Sequence, residues 1–136
     1  SKELNFSFSG IKTAISLMVK NKKIIDKELK SNISASFQNI VSEILVKKFN
    51  MSLKYLKNQN INIEQLSLVG GVAANKFIYS KLEKECLKNN IKIILPPKNM
   101  LSDNAAMIGW ACIKKLHYNN IDDLYFKENP RLTVGI

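Results

Sequence analysis

Apolar side chains recur along this chain in two rhythms, and the rhythms predict its elements. Residues 4–9, Leu-Asn-Phe-Ser-Phe-Ser, alternate apolar and polar, which predicts a short strand ended by Gly10. Residues 11–19 read as a short helix, and residues 20–23 as a charged connection. Asp26 is placed to cap the next helix. From there Leu29, Ile33, Phe37, Ile40, Val41, Ile44 and Leu45 recur at intervals of mostly three and four. That spacing is one apolar stripe on a long helix, ending near Asn58-Gln59-Asn60. Residues 66–69 form an apolar run stopped by Gly70-Gly71, which predicts a buried strand. Residues 74–89 predict a helix with Ile78, Leu82 and Cys86 inward. Residues 91–95 predict a second strand, stopped by Pro96-Pro97. Ser102 or Asp103 is expected to cap a last helix carrying Ala106, Met107, Trp110 and Ile113. The tail after Asn119 reads as loop.

Strand, helix, strand over residues 66–95 predicts an α/β fold with a parallel crossover. Ligands of open α/β sheets collect beyond the carboxyl ends of the strands. The loops at residues 70–75 and 99–104 leave the two strands at that edge. They are therefore expected to face one crevice. Two strands and a short third make a poor sheet, because stable sheets usually have about four to six. Few strands under long covering helices, in a chain that opens without Met, lead to the expectation of a fragment of a larger protein.

Composition adds a warning about charge. The 136 residues carry 21 Lys+Arg against 11 Asp+Glu, a formal charge of +10. Phosphate contacts favour such a balance, yet Arg131 is the only arginine. A surface selected to hold phosphate bidentately favours arginine. The lysines are also scattered, so the charge reads first as a solvated, lysine-rich surface. No apolar run is long enough to span a membrane. Cys86 and Cys112 show no metal or disulfide-framework spacing, so a reduced, cytoplasmic setting is expected.

Three stretches carry possible chemistry. In Gly70-Gly71-Val72-Ala73-Ala74-Asn75, paired glycines let backbone N–H groups approach an anion, and Asn75 can both donate and accept. The same residues also make an ordinary tight turn with Asn75 in the first helical turn. Asp103 offers a carboxylate to a metal or, more simply, an N-cap; alone it is too few ligands. Ser9 and Gly10, in Phe6-Ser7-Phe8-Ser9-Gly10, suit phosphate oxygens or merely an edge strand. Neither Ser7 nor Ser9 has a base beside it in the sequence, and no catalytic residue is assigned. His117, the only histidine, falls at a helix end.

Taken together, residues 6–13, residues 68–75 and residues 102–108 resemble the carboxy-terminal half of the tRNA threonylcarbamoyladenosine transferase family, formerly the O-sialoglycoprotein endopeptidase or glycoprotease family. The Ser34-Ala35-Ser36-Phe37-Gln38 helix entry and the closing Asn129-Pro130-Arg131 agree, so the resemblance covers nearly the whole chain. It implies that residues 1–136 are a carboxy-terminal lobe fragment of an actin-like, sugar-kinase-like (ribonuclease-H-like) ATPase fold whose amino-terminal lobe is absent. It implies transfer of a threonylcarbamoyl group from its ATP-derived adenylate to the adenosine beside the anticodon of tRNAs reading A-starting codons. By the same resemblance Asn75 binds the adenylate, Gly70 and Gly71 pack against its nucleotide, and Asp103 ligates a divalent metal, iron or zinc. The other ligands, a pair of histidines, lie upstream in the family and have no match here. The implied partners are tRNA, a paralogous subunit and a small ATPase. The piece alone is expected to be inactive and to self-associate through exposed strand edges. The other readings are a non-catalytic tRNA- or partner-binding module and an actin-like sugar-kinase relative.

Overall fold

Asp26 opens the longest helix as its spacing predicts. In extended backbone, its carboxylate accepts from the Leu29 N–H at 2.7 Å, satisfying one of the first-turn donors of α2 (Lys27–Asn58). The computed structural model describes residues 4–20, 22, 24–125 and 127. It divides into two compact units, Ser1–Ser102 and Asp103–Ile136.

In the first unit α1 (Ser9–Lys20) precedes α2, and β1 (Gln65–Ser67), α3 (Lys76–Lys88) and β2 (Lys92–Ile94) follow. The strands are parallel, with Leu66 opposite Ile93, and α3 crosses between them as expected. Ile78, Leu82 and Cys86, spaced four apart, all point inward and are buried. With Val41 of α2, Ile78 and Leu82 form a core lined by Phe8, Leu45, Val46, Phe49, Leu68 and Ile93. Burial of each such large apolar side chain contributes about 1.5–3 kcal/mol, so the α2–α3 pair over one sheet face holds this unit together. Of the α2 stripe, Val41 alone is buried; Phe37 and Ile40 are exposed.

Three expectations for the first unit are corrected. Residues 4–8 form no strand: α1 begins at Ser9, and Gly10 lies inside its first turn. No partner strand runs beside them among the described residues, and an unpaired strand leaves its N–H and C=O groups without a ladder. Instead the Phe6 and Phe8 rings stack at 6.1 Å, Phe8 packs on the core, and its carbonyl accepts from the Lys12 N–H at 3.2 Å. The first strand of the crossover is shorter than expected and half-covered, with Val69 65% exposed. A two-stranded sheet with helices on one side cannot bury both faces. Finally, Ser34 to Gln38 lie well inside α2 rather than at a helix entry, because the cap is Asp26.

The second unit holds α4 (Ala105–His117), in which no residue is buried. Neither Ser102 nor Asp103 caps it. Asn104 does, its side chain accepting from the Met107 N–H at 3.0 Å. Lys114 sits over the Trp110 ring at 5.0 Å, and Lys115 pairs with Asp122. Residues 120–125 are loop and turn, as expected, and Asn129-Pro130-Arg131 lie outside the described residues.

Asparagine has a structural use here that composition alone conceals. Helices α2, α3 and α4 each end with an Asn at positive φ: Asn60 at 57°, Asn90 at 55° and Asn119 at 52°. The next N–H in each case reaches back to a carbonyl five residues earlier, as Ile91 does to Cys86 at 2.9 Å. Asparagine takes the place glycine usually fills in this helix stop.

Candidate nucleotide site

Val41, Leu45 and Ile78 form the apolar floor of a cavity of about 630 Å³. Its walls come from three stretches far apart in sequence. Phe8 and Lys12 stand at the start of α1, Ser34, Phe37 and Gln38 on α2, and Gly71, Val72 and Asn75 between β1 and α3. All belong to the first unit.

The loop between β1 and α3 is shaped by its glycines. Gly70 has φ 86° and ψ 166°, a conformation open essentially to glycine. It turns the chain from the strand into a single 3-10 turn, Gly71–Ala74, closed by hydrogen bonds from Ala73 N–H to Gly70 O and from Asn75 N–H to Val72 O, each 3.0 Å. Asn75 stands at the junction. It is not in the first helical turn but is the N-cap of α3, its Oδ1 accepting from the Phe77 N–H at 3.0 Å and the Ile78 N–H at 3.2 Å. Its Nδ2 donates to Gln38 Oε1 at 3.1 Å.

The cavity therefore combines an apolar floor and aromatic flank with a short arc of donors: the Lys12 ammonium and the amides of Gln38 and Asn75. The Ser34 hydroxyl donates to Lys30 O at 2.8 Å, which leaves its lone pairs as acceptors. Such a surface suits a ligand with a flat, weakly polar part and an acceptor-rich part.

Of the residues singled out in the sequence, Gly71 and Asn75 line this cavity, and Gly70 shapes its loop. Ser9 and Gly10 occupy the first turn of α1 outside its wall, where Ser9 Oγ lies 3.2 Å from Ser7 Oγ. Asp103 stands exposed in the second unit, one residue ahead of the cap, so capping does not occupy it. Lys12, Ser34 and Gln38 were not assigned by sequence reasoning. Their signal was membership of the other stretches of the family resemblance, residues 6–13 and 34–38. Cys86 is free but only 1% exposed; burial first, then the carboxylates of Glu83 and Glu85, push its thiol pKa up, so it is no accessible nucleophile.

The metal implied by the resemblance finds little here. Among the described residues no three His, Cys, Asp or Glu side chains come together in a way that could hold an ion. One exposed carboxylate, Asp103, is too small a donor set. The described residues do not by themselves fit a bound iron or zinc. Among them, too, no helix is long and apolar enough to cross a membrane.

Residues 1–110 match the family described as TsaD, tRNA N6-adenosine threonylcarbamoyltransferase. Similar curated proteins carry the same name. That of Wolbachia sp. subsp. Brugia malayi (strain TRS) is 40% identical over 131 residues, 96% of this chain and 38% of the relative. That of Thermosipho africanus (strain TCF52B) is 42% identical over 134 residues, 98% of this chain and 39% of the relative. The Ehrlichia chaffeensis protein is 40% identical over 127 residues, 93% of this chain and 36% of the relative. The chain thus spans less than two-fifths of the length of these relatives. With a family match across most of its residues, the chain belongs to the tRNA N6-adenosine threonylcarbamoyltransferase family.

Proposed function

We propose that the cavity bounded by Lys12, Gln38 and Asn75 holds threonylcarbamoyl-adenylate, and that these residues serve transfer of its threonylcarbamoyl group to the adenosine beside the anticodon of tRNA. One observation carries the reading: three separate motif stretches of the family resemblance, at residues 6–13, 34–38 and 68–75, meet around a single cavity. The apolar floor and the Phe8 and Phe37 rings suit the base and sugar. The Lys12 and amide donors suit the phosphate and carbonyl oxygens.

In the reaction the exocyclic amine of the tRNA adenosine attacks the carbamoyl carbon. A nitrogen–carbon bond forms, the bond from that carbon to the phosphate oxygen breaks, adenosine monophosphate leaves, and the amine gives up a proton. Donors along the cavity wall hold the leaving phosphate and oppose its growing charge. No covalent intermediate on the protein is involved. In the full-length enzyme Asp103 would supply one carboxylate to a divalent metal, which would act there as a Lewis acid on the carbamoyl or phosphoryl oxygen.

The chain in this reading is part of one lobe of an actin-like ATPase fold. The parallel β1–α3–β2 crossover under a long covering helix supports it. tRNA, a paralogous subunit and a small ATPase are the partners, the setting is cytoplasmic, and the 136-residue piece alone is inactive. Transfer assays on the full-length enzyme test the proposal. Lys12→Met and Asn75→Ser are each expected to lower kcat/KM for the adenylate by about tenfold or more, the scale of a lost charged or buried hydrogen bond. Unchanged kcat/KM in both variants would show that the adenylate is held elsewhere.

A further inference from the structure

The Asn75 side chain has one acceptor and two N–H donors. Its acceptor is fully committed, since Oδ1 caps α3 through the Phe77 and Ile78 N–H groups. That commitment turns the NH2 group away from the helix. One of its N–H bonds goes to Gln38 Oε1 at 3.1 Å, a contact between residues 37 apart on different helices. Both residues line the cavity. The α2–α3 packing does not depend on this bond, because Val41, Ile78 and Leu82 already join the two helices.

We infer that Gln38 is a positioning residue: by accepting one N–H of Asn75 it fixes the plane of that amide and presents the second N–H to the cavity. The inference rests on the proposed function, in which Asn75 touches the adenylate. It also sets a preference. With Asn75 Oδ1 and Gln38 Oε1 both engaged, the uncommitted N–H groups of this amide pair are donors, so the Gln38–Asn75 edge of the cavity offers donors. It selects a ligand edge of acceptor oxygens, phosphate or carbonyl, and disfavours an edge of donors, which would leave these half-buried N–H groups unpaired.

A double-mutant cycle in the full-length enzyme tests this. Asn75→Ser keeps a good N-cap but removes the amide; Gln38→Met keeps shape and helix preference but removes the acceptor. Each single variant is expected to raise KM for threonylcarbamoyl-adenylate by about tenfold, with kcat changed by less than about threefold. In the Asn75→Ser background, Gln38→Met is expected to add less than about twofold, because its effect runs through Asn75. Equal penalties in both backgrounds would make Gln38 a packing residue and overturn the inference. No effect of Gln38→Met, with Asn75→Ser still impaired, would overturn it while leaving the proposed site standing. No effect of Asn75→Ser would overturn this inference, and no effect of Lys12→Met as well would remove the proposed site with it. Should Gln38→Met fail to fold, Gln38→Asn replaces it, keeping the amide one methylene out of reach, with the same outcomes.

Discussion

The two units use apolar residues in opposite ways. In the first, Ile78, Leu82 and Cys86 of α3 are buried against α2 and the sheet. In the second, α4 is rich in large apolar side chains and buries none: Met107, Ile108, Trp110, Ile113 and Leu116 are all exposed. Helical patterning is present in both, yet among the described residues only the first buries its apolar face. An amphipathic face is a potential; its contribution comes from what covers it.

The sharpest way to break that contrast is a pair of truncations in the 136-residue chain. Leu82→Ala is expected to destabilise the first unit by about 2–5 kcal/mol, through lost burial and a residual cavity. Ile113→Ala is expected to change stability by less than about 0.5 kcal/mol, the range for exposed positions. Urea unfolding checks both, and similar costs at the two sites would erase the distinction.

Smaller effects sharpen it within the first unit. Gly70→Ala meets no atom within 4 Å of the added Cβ, so its cost is the backbone's alone, about 1–3 kcal/mol for a side chain at φ 86°. Thermal unfolding should show it, and a neutral result would mean that this loop relaxes freely. Asn75→Ala is expected to cost about 1 kcal/mol through the lost cap, whereas Asn75→Ser is nearly neutral. Comparing the two by the same method separates the cap from the site function.

The smallest effect is electrostatic. Lys88, at 2.7 Å, and Asn50, at 3.1 Å, both donate to the Glu85 carboxylate and hold its pKa below the ordinary carboxylate value. A depressed folded pKa stabilises the fold above the unfolded pKa, and that stability is lost as pH falls through the folded value. Glu85→Gln is therefore expected to cost under about 1 kcal/mol at neutral pH and less in acid, since Lys88 is largely solvated. Unfolding curves at neutral and at acid pH give the comparison.

Much of this was legible in the sequence. Four-residue spacing announced the buried triplet of α3, and strand, helix and strand between Gly-Gly and Pro-Pro announced the parallel crossover. The misreadings have physical causes. Alternation in residues 4–8 is shared by strands and by an irregular lead-in that packs one phenylalanine on the core. Ser102, Asp103 and Asn104 all make good caps, and only backbone geometry chose Asn104. The Gln38–Asn75 bond joins residues 37 apart, which local patterning cannot reveal. Gly71 and Asn75 were singled out in the sequence, but the cavity they line depends on residues of α2 and of the lead-in to α1 that are distant in sequence.

The central claim is that one cavity gathers three motif stretches around the adenylate. Its most direct test is a crystal structure of the full-length enzyme with a non-hydrolysable analogue of threonylcarbamoyl-adenylate. The account predicts the analogue over Val41 and Ile78, with oxygens within hydrogen-bond distance of Lys12 and Asn75. An analogue bound in the same enzyme without contact to either residue would contradict it.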